Sequence, residues 1–410
     1  MASPQKGTAP RDEEQKPASP SVSLPKGGGA IKGLGEKFAA NPVTGTGSMS
    51  VPIATSPGRS GFGPQLSLSY DSGSGNGHFG FGWSLSLPQI TRKTDKGLPR
   101  YLDGRDKEPD SDVFILSGAE DLVPELEKDS NGEWVIKCVE PRTVDVRTYQ
   151  IRRYRRRIED LFSRIEHWTC ESDPTDVRWR SISKDNITTW YGKTENSRIF
   201  DPNDKSRIFS WLICESHDEK GNVIVYGYKP EYSQNIFKDT QGNSITLANE
   251  RNRTEQSRAA NRYLKRIRYG NDKPYLPKIS AEDVWPSPPG ATVSDGSKDW
   301  LFEVIFDYGE HDADVPQPDD DPAHSNSKAW RAREDPFSSY RAGFEVRSYR
   351  LCQRVLMFHH IPDLPTGEKG YDGLVRSTEF SYSQSAIGSF ISSVTQSGYV
   401  RRDDGTYLKK

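Results

Sequence analysis

The sequence of 410 residues predicts an all-β fold of predominantly antiparallel strands and hairpins, arranged like a shell or a sandwich, with a disordered N-terminal tail. The 35 glycines and 28 prolines suit a turn-rich β protein better than a helix bundle. Short segments alternate apolar and polar residues with a period of two, as half-buried strands do. Aromatic residues make up 10% of the chain, which a wholly disordered protein would lack.

The start of the chain differs in composition from the rest. It is mainly Pro, Ser, Lys, Gln and Gly, with too little apolar surface to offset the entropy of ordering, so residues 1–29 are predicted to be a disordered tail. Residues 30–410 are predicted to form one β-rich domain, with internal boundaries near residue 202 and within residues 275–298. The chain stops at Lys410 without a cap or tail, which suggests the N-terminal fragment of a longer protein.

Strands are predicted along the first half of the domain from alternation and from β-branched and aromatic content. They cover residues 48–53, 66–70, 83–87, 112–116, 134–138 and 179–183. The glycine-rich residues 71–82 are predicted to be a long hairpin loop. Residues 158–168 fit a strand or a short helix, and their periodicity does not decide between the two.

The second half contains two similar turns, each followed by strand-like sequence. Asp218 and Asp239 each begin a D-x-x-G-N-x-I motif, which hints at stacked hairpins. Residues 249–262 fit a short helix or a loop, and residues 310–321 fit an acidic loop. The remaining predicted strands are residues 223–228, 263–270, 300–308, 344–358, 377–382 and 391–399. Residues 344–358 are predicted to be the longest strand.

Charge and cysteine content exclude several classes of protein. The chain has 56 basic and 58 acidic residues, which argues against binding to nucleic acid or to anionic membranes. There is no C-x-x-C motif, so zinc ribbons and thioredoxin-type sites are excluded. Four scattered cysteines are predicted to be buried free thiols: Cys138, Cys170, Cys214 and Cys352. The sequence shows neither a Sec signal nor a membrane anchor.

The candidate metal sites are better explained as ordinary structure. His359 and His360 are adjacent, and neighbouring residues of a strand point to opposite faces, so they are not predicted to share a metal. Asp312, Asp314 and residues 319–321 lack the spacing and glycine of an EF-hand, so a solvated acidic loop is predicted instead of a calcium site.

No catalytic constellation emerges from the remaining motifs. Residues 73–77 are glycine-rich, but no Lys-Ser/Thr pair or helix follows, so nucleotide binding is not predicted. Residues 376–380 look like a fragment of an ADP-ribosyltransferase strand, but no Glu-x-Glu follows them, and we interpret the match as chance. The arginine-rich residues 152–157 are predicted to be a salt-bridged strand surface. The nearby counter-charges are Asp145, Glu159, Asp160 and Glu166. We therefore predict no catalytic residue, cofactor site or metal ligand.

A series of short blocks is informative through its order and spacing. The blocks are residues 24–31, 61–64, 66–70, 76–83, 157–159, 218–228, 261–264, 269–271 and 335–347, followed by residues 359–360. Together they resemble the N-terminal domain of the SpvB family, as found in the B subunits of Tc insecticidal toxin complexes. The resemblance covers about residues 24–402.

This resemblance implies a non-catalytic, SpvB-like structural module over residues 30–410 that forms part of a toxin shell enclosing and presenting a cytotoxic cargo. The implied partners are a downstream β-propeller/RHS segment, a C-subunit-like toxin component and, through the propeller, the pore-forming A subunit. Neither nucleic acid nor membrane insertion by this chain is implied. The protein would be secreted by a route without a Sec signal, and would be cytoplasmic before release.

Two alternatives remain open from the sequence. The chain fits an N-terminal secretion or delivery domain of a virulence protein whose ADP-ribosyltransferase domain is absent here. It also fits a carbohydrate- or receptor-binding β module in which aromatic side chains stack on sugars. Those aromatic residues would be Trp179, Trp190, Tyr191 and Trp211. Arg341 and Arg347 are predicted partner contacts, because arginine forms bidentate contacts, although packing within the chain explains them equally well.

Overall fold

The computed structural model confirms an all-β, antiparallel fold. It describes residues 37–41, 45–103, 112–117, 120–144, 146–158, 163–238, 243–245, 247–275, 299–318, 330–363 and 365–410. The predicted tail, residues 1–29, lies outside the described residues, as does nearly all of the predicted boundary at residues 275–298. Within the described residues, helix is limited to one α-helical turn, α1 (Glu255–Arg258), and to short 3-10 turns at Arg59–Gly61, Glu195–Ser197 and Ala248–Glu250.

The first sheet contains four strands, β1 (Lys37–Asn41), β2 (Thr46–Ile53), β3 (Leu66–Asp71) and β6 (Trp83–Leu85). They lie in the order β1-β2-β3-β6, and the last three match predicted strands. The glycine-rich loop between β3 and β6 carries a small hairpin of its own, β4 (Asn76–Gly77) and β5 (Gly80–Phe81). Val51, Leu66 and Leu68 are buried, so one face of this sheet packs on the core.

Eight strands of the largest sheet close into a ring. They are β7 (Gln89–Arg92), β8 (Phe114–Leu116), β9 (Glu120–Pro124), β13 (Arg147–Arg156), β14 (Arg164–Cys170), β15 (Val177–Ile182), β16 (Thr188–Tyr191) and β18 (Asp204–His217). Each strand pairs with the next in this order, and β18 pairs back with β7. The ring therefore joins segments that are far apart in the sequence.

From β18 the sheet extends through seven further strands, each paired with the one before. They are β19 (Val223–Pro230), β20 (Arg262–Asn271), β21 (Trp300–Asp307), β24 (Arg354–Ile361), β25 (Tyr371–Ser385), β26 (Gly388–Arg401) and β27 (Tyr407–Lys409). On the ring, β12 (Cys138–Val144) pairs with β13, and β17 (Arg198–Asp201) pairs with β18. Two short hairpins stand apart: β10 (Leu126–Lys128) with β11 (Trp134–Ile136), and β22 (Phe337–Ser339) with β23 (Val346–Ser348).

Aromatic side chains fill the interior of the ring. Phe114, Tyr154, Trp179 and Trp211 are each at most 2% exposed, and their rings surround the imidazole of His167 with centroid separations of 4.5 to 6.3 Å. They belong to a core cluster that continues to the first sheet and to the strands beyond the ring. Edge-to-face packing of this kind adds to the stabilisation from burial alone.

Gly192 shows how tightly the ring is packed. It follows β16 with φ +67°, and a Cβ at this position would collide with the indole of Trp211. We expect Gly192→Ala to lower the free energy of unfolding by about 2 kcal/mol, because positive-φ strain and overpacking act together. Chemical denaturation measures the change. The matched control is Gly132→Ala, which has φ +83° but open space around it, and an equal loss for both variants would contradict the packing argument.

Two predicted strands are interrupted in the structure. Residues 344–358 are not one strand, because β23 ends at Ser348 and β24 begins at Arg354. Between them Arg350 is fully buried, and its guanidinium bonds Glu231 and the carbonyl of Trp330, so the backbone leaves the sheet to place it. Residues 134–138 also divide, since β11 ends before Lys137, whose N–H donates to the carbonyl of Glu125.

The structure shows the conformation of those segments with an ambiguous sequence pattern that lie among the described residues. Within residues 158–168, β14 begins at Arg164, and residues 159–162 lie outside the described residues. The first D-x-x-G-N-x-I copy is a turn in which Asp218 accepts from the N–H of Asn222 at 2.9 Å. Of the second copy, residues 239–242 lie outside the described residues, and Ser244 forms one isolated bridge with Lys238. The boundary predicted near residue 202 falls at the turn between β17 and β18 and stays a prediction.

The cysteines are free thiols, as predicted, and three of the four are buried. Cys138 is the exception. It is exposed, because β12 pairs only with β13 among the described residues and most of its side chains face solvent. None of the described helices has the length and apolar content needed to cross a membrane.

Candidate functional site

A long hairpin formed by β25 and β26 dominates the end of the chain. Its register runs from Arg376 opposite Gly398 to Ser385 opposite Gly388. Phe380 is buried, and Val394 packs against the main core, so one face of the hairpin is fixed to the rest of the protein. The other face and the tip are open to solvent, and the hairpin is therefore a firmly held element with an accessible side.

The short strand β27 covers only a small part of this hairpin. It pairs with residues 399–401 of β26, and Lys409 reaches Glu379 of β25 with an Nζ–Oε1 distance of 2.8 Å. Burial disfavours the charged form of Glu379, but hydrogen bonds from Lys409 and from the hydroxyls of Ser377 and Tyr399 outweigh it and lower the pKa of this carboxyl. Charge and hydrogen bonding thus clamp β27 at one end of the hairpin.

The rest of β26 has an unpaired outer edge. Residues 389–397 pair with β25 on one side, and no other described strand pairs with them. This stretch carries no charged residue from Gly388 to Gly398. Natural proteins usually blunt exposed edge strands with charges, prolines or short length, because a free edge recruits further strands. We call residues 391–397 the β26 edge, and we take it as the candidate docking site.

The two predicted partner residues have different environments. Arg341 is exposed, and its Nε donates to the hydroxyl of Thr94 at 2.9 Å. Arg347 is 5% exposed and lies 2.7 Å from the carboxylate of Glu250, which also binds Arg258. Partner contact stays a prediction for both, and Arg341 is the one whose side chain faces solvent.

The arginine-rich strand forms ion pairs within the chain. Arg153 lies 3.9 Å from Glu166 and Arg157 lies 3.9 Å from Asp121, which fits a salt-bridged surface. The other predicted counter-charges, Asp145, Glu159 and Asp160, lie outside the described residues.

The two adjacent histidines face different partners. His359 Nε2 lies 2.6 Å from the hydroxyl of Ser56, and burial lowers the pKa of His359. His360 lies between Asp372 at 2.7 Å and Glu303 at 3.3 Å. Burial acts to lower the pKa of His360, but these two carboxylates raise it overall. The two imidazoles therefore do not share a site.

The acidic loop combines an exposed part and a buried part. Asp312 and Asp314 are exposed, as predicted, and residues 319–321 lie outside the described residues. At the start of the loop, however, Glu310 and His311 are buried with Asp307, and their ligand-type atoms lie within 4.8 Å of one another. No motif in the sequence predicts this cluster.

A lysine takes the central position of this buried cluster. The ammonium of Lys265 donates to the carboxylate of Glu310 and to Nε2 of His311, the latter at 2.6 Å. Because an ammonium can only donate, Nε2 accepts, and Nδ1–H faces the carbonyl of Gln317 at 2.9 Å. The cluster as it stands is an ion-paired group around a lysine. Its sequence signal was weak, because Lys265 and Glu310 are 45 residues apart.

A cavity of about 510 Å³ opens at one end of the strand ring, a size within the range of small-molecule sites. Its lining includes Arg92, Asp103, His167 and Trp211. Arg92 is already bound to Asp103 and Asp112, each at 2.8 Å, so its charge is neutralised within the chain. The two ring nitrogens of His167 have no hydrogen-bond partner among the described residues and are shielded from solvent.

The aromatic residues of the carbohydrate alternative lie in the interior. Their exposed fractions are at most 4% for all four, which are Trp179, Trp190, Tyr191 and Trp211. Stacking on a sugar needs an accessible ring face, and these rings pack against one another and against neighbouring side chains. The carbohydrate-binding alternative therefore loses the residues on which it depended.

The described residues thus form a β-rich domain whose buried charges are paired within the chain. A family profile described as the Salmonella virulence plasmid 65kDa B protein, SpvB, matches residues 41–361. The chain belongs to the SpvB family.

Curated relatives and solved structures agree with this assignment. The mono(ADP-ribosyl)transferase SpvB of Salmonella choleraesuis strain SC-B67 is 36% identical over 370 residues, which are 89% of this chain and 54% of that protein. The protein of the same name from Salmonella dublin is 36% identical over 369 residues, again 54% of its length. The chain thus spans about half the length of the curated relatives it matches.

The structural matches separate into two groups. The N-terminal domain of the effector protein SpvB from Salmonella typhimurium strain LT2 matches with a TM-score of 0.67 and 33% identity, over 86% of this chain and 98% of that domain. The crystal structure of TcdB2-TccC3 matches with a TM-score of 0.72 and 30% identity, over 96% of this chain and 17% of that one. The Photorhabdus luminescens Tc holotoxin pore matches with a TM-score of 0.71 and 32% identity, over 96% of this chain and 16% of that one.

Proposed function

We propose that this chain is a non-catalytic structural module of a toxin complex and forms part of the shell that encloses and presents a cytotoxic cargo. The observation that carries the proposal is the likeness to TcdB2-TccC3 over 96% of the chain. Its partners are then the downstream β-propeller/RHS segment, a C-subunit-like component and, through the propeller, the A subunit. It is secreted as a toxin component.

The chemistry of the described residues supports a structural role. The buried carboxylates with lowered pKa values are each held by arginine, lysine or histidine partners, as Glu303 is by Arg266, Arg268 and His360. Such neutralised networks fix neighbouring strands in register.

The first test is assembly. We expect this chain to form a stable stoichiometric complex when it is co-purified with the downstream segment of a Tc B subunit and a C-subunit-like partner, measured by size-exclusion chromatography with light scattering. Arg341→Ala should weaken the complex without lowering the melting temperature, whereas the exposed Arg251→Ala serves as the matched control. A well-behaved monomer that ignores both partners would contradict the proposal.

A second candidate function is the N-terminal delivery domain of a longer ADP-ribosylating virulence protein. It is favoured by the relatives named mono(ADP-ribosyl)transferase, of which this chain spans 54%, and by the 98% coverage of the SpvB N-terminal domain. The two candidates differ in the rest of the polypeptide. Sequencing the complete reading frame separates them, because propeller and RHS repeats support the shell, and a transferase domain supports delivery.

A further inference from the structure

We propose that the mouth of the eight-stranded ring binds a small uncharged polyhydroxyl molecule, such as a sugar or a sugar alcohol. This inference goes beyond the shell function and does not depend on it. The site is the cavity of about 510 Å³ at one end of the ring, which we call the mouth cavity and whose lining includes Arg92, Asp103, His167 and Trp211. Closed rings of eight strands are either filled by side chains or hold one small ligand, and the mouth of a barrel is a common place for such a site.

The inward-facing side chains of β13 and β14 change from aromatic to polar toward this mouth. Tyr154 belongs to the aromatic interior and is 2% exposed. Next along the two strands, Arg152 lies opposite His167, and then Gln150 lies opposite Thr169. Side chains two residues apart on a strand share a face, so these residues form one inward-facing column. The four residues beyond Tyr154 all line the mouth cavity and give it a polar wall.

His167 forms the innermost part of this wall. It is 2% exposed, and neither of its ring nitrogens has a hydrogen-bond partner among the described residues. A buried polar group in this situation costs stability, and a phenylalanine would fill the same space without that cost. The imidazole at the floor of the cavity is therefore better explained by a ligand that pairs with it.

The state of the imidazole defines what that ligand has to offer. Burial lowers the pKa of His167 to about 3, so the ring is uncharged at neutral pH and has one N–H donor and one bare nitrogen acceptor. In the orientation that the structure has, both nitrogens are shielded from solvent. A half-turn about χ2 exchanges each ring nitrogen with a ring carbon and keeps the outline of the ring, so it turns a nitrogen toward the cavity. A hydroxyl group both donates and accepts, and it therefore pairs with either nitrogen.

The charged side chains of the lining favour an uncharged ligand. Arg92 and Arg152 are matched in number by Asp103 and Glu171, so the lining has no net charge. The guanidinium of Arg92 bonds Asp103 at 2.8 Å, and its Nε donates to the carbonyl of Ile208 at 2.7 Å. An anion would compete with the carboxylates for the arginines, and a cation would compete with the arginines for the carboxylates.

The rest of the lining suits a molecule with both hydroxyl and C–H groups. Gln150 and Thr169 add an amide and a hydroxyl, and each of these groups donates and accepts. Val177, Ile208 and Trp211 add apolar surface, and the indole N–H of Trp211 is already bound to the carbonyl of Val177 at 2.8 Å. Sugars and sugar alcohols carry C–H groups between their hydroxyls, so they contact both kinds of surface. This mode of binding needs no stacking on an accessible aromatic face.

Titration of this chain with glucose, myo-inositol and sorbitol tests the inference. The chain is labelled isotopically at its seven histidines, and nitrogen NMR follows the ring nitrogens, with His167 assigned from the signals that His167→Phe removes. We expect at least one of the three polyols to shift the His167 signals saturably and to leave those of His359 and His360 unchanged. The affinity should not change when the salt concentration is raised, because an uncharged ligand is not subject to screening.

Two substitutions remove hydrogen-bonding groups from the wall, and calorimetric titration measures their effect. His167→Phe keeps an aromatic ring in place but removes both nitrogens, so polyol affinity should fall about tenfold or more. Thr169→Val keeps the shape of the side chain but removes the hydroxyl. It should weaken binding about threefold to tenfold, and it replaces His167→Phe if that variant does not fold. The matched control is Thr189→Val, because Thr189 is also a half-buried threonine of the ring but does not line the cavity, and it should bind like the parent chain.

The outcomes decide between a polyol site and its alternatives. Saturable binding that both wall variants leave unchanged would place the ligand elsewhere and overturn the inference. Failure of all three polyols to shift the His167 signals would overturn it as well, since water alone would then meet the polar wall. Binding of inorganic phosphate instead, with a steep loss at high salt, would identify an anion site and contradict the assignment to an uncharged ligand. None of these outcomes bears on assembly with toxin subunits, so the proposed shell function is tested separately.

Discussion

Replacing Lys265 with methionine should lower the free energy of unfolding by about 3–5 kcal/mol at neutral pH, the usual cost of removing one partner from a buried ion pair. The side chain of Lys265 is 8% exposed and that of Glu310 is fully buried. Methionine keeps the length of the side chain but removes the ammonium. Glu310 then becomes a buried charge without its cation, and His311 loses the donor to its Nε2.

Equilibrium denaturation with urea measures this loss, and Lys205→Met is the matched control. Lys205 pairs with Glu195 at an Nζ–Oε1 distance of 2.9 Å, but both side chains are more than half exposed. Exposed pairs are worth little, so the control should unfold nearly as the parent chain does. Equal losses in the two variants would show that the buried lysine does not neutralise the cluster as the geometry indicates.

Acidification from pH 6.5 to pH 5 is the second large expected effect, and it should destabilise the fold. Burial lowers the pKa of His167 to about 3, and burial together with the nearby Arg333 lowers the pKa of His78 to about 4. In the unfolded chain both would titrate near 6.5. Below that pH the unfolded state binds more protons, so stability falls, approaching about 1.4 kcal/mol per pH unit for each histidine.

The pKa of His359 is also lowered by burial, so His359 acts in the same direction in this pH window, whereas the groups shifted otherwise do not. The pKa of His360 is raised, so its contribution is fully present below 6.5 and is lost only as pH rises through the folded value. Glu303 has a pKa lowered to about 2, so its contribution is present above its ordinary value of 4.5 and is lost only at lower pH.

His167→Phe isolates the contribution of one of the three histidines with a lowered pKa. The imidazole nitrogens of His167 make no hydrogen bond to a described residue. Phenylalanine should therefore be tolerated at pH 7 within the aromatic interior of the strand ring. On acidification, the free energy of unfolding should fall less steeply for the variant than for the parent chain. The difference between the two slopes should be about 1.4 kcal/mol per pH unit. Unfolding curves at several pH values give this slope. An unchanged slope would mean that His167 can be protonated in the folded state.

The sequence predicted features that depend on near neighbours. The strands around Leu68 and Ile267 were recognisable because alternation is a local property of the pleated chain. Residues 344–358 were predicted wrongly as one strand, because their break depends on Arg350 reaching Glu231, which is 119 residues away. The sequence did not predict the cluster around Lys265, because Lys265 and Glu310 are also far apart, by 45 residues.

The candidate site was only partly accessible to sequence reasoning. The uncharged stretch in the last strands is visible in the sequence. Which strands pair with this stretch, and on which side, depends on the pairing of β26 with β25 and β27. Long-range pairing of that kind has no signature in local periodicity.

Closure of the strand ring has a consequence for synthesis of the chain. β7 pairs with β18, so the ring cannot close until the ribosome has synthesised the chain from Ile90 as far as Trp211. At a translation rate of 5–20 residues per second, this delay is roughly 6 to 24 seconds, far longer than a hairpin takes to form. During that interval the nascent strands expose unpaired edges. We therefore expect the nascent chain to bind chaperones. A chain truncated before β18 should aggregate, because its strand edges stay unpaired.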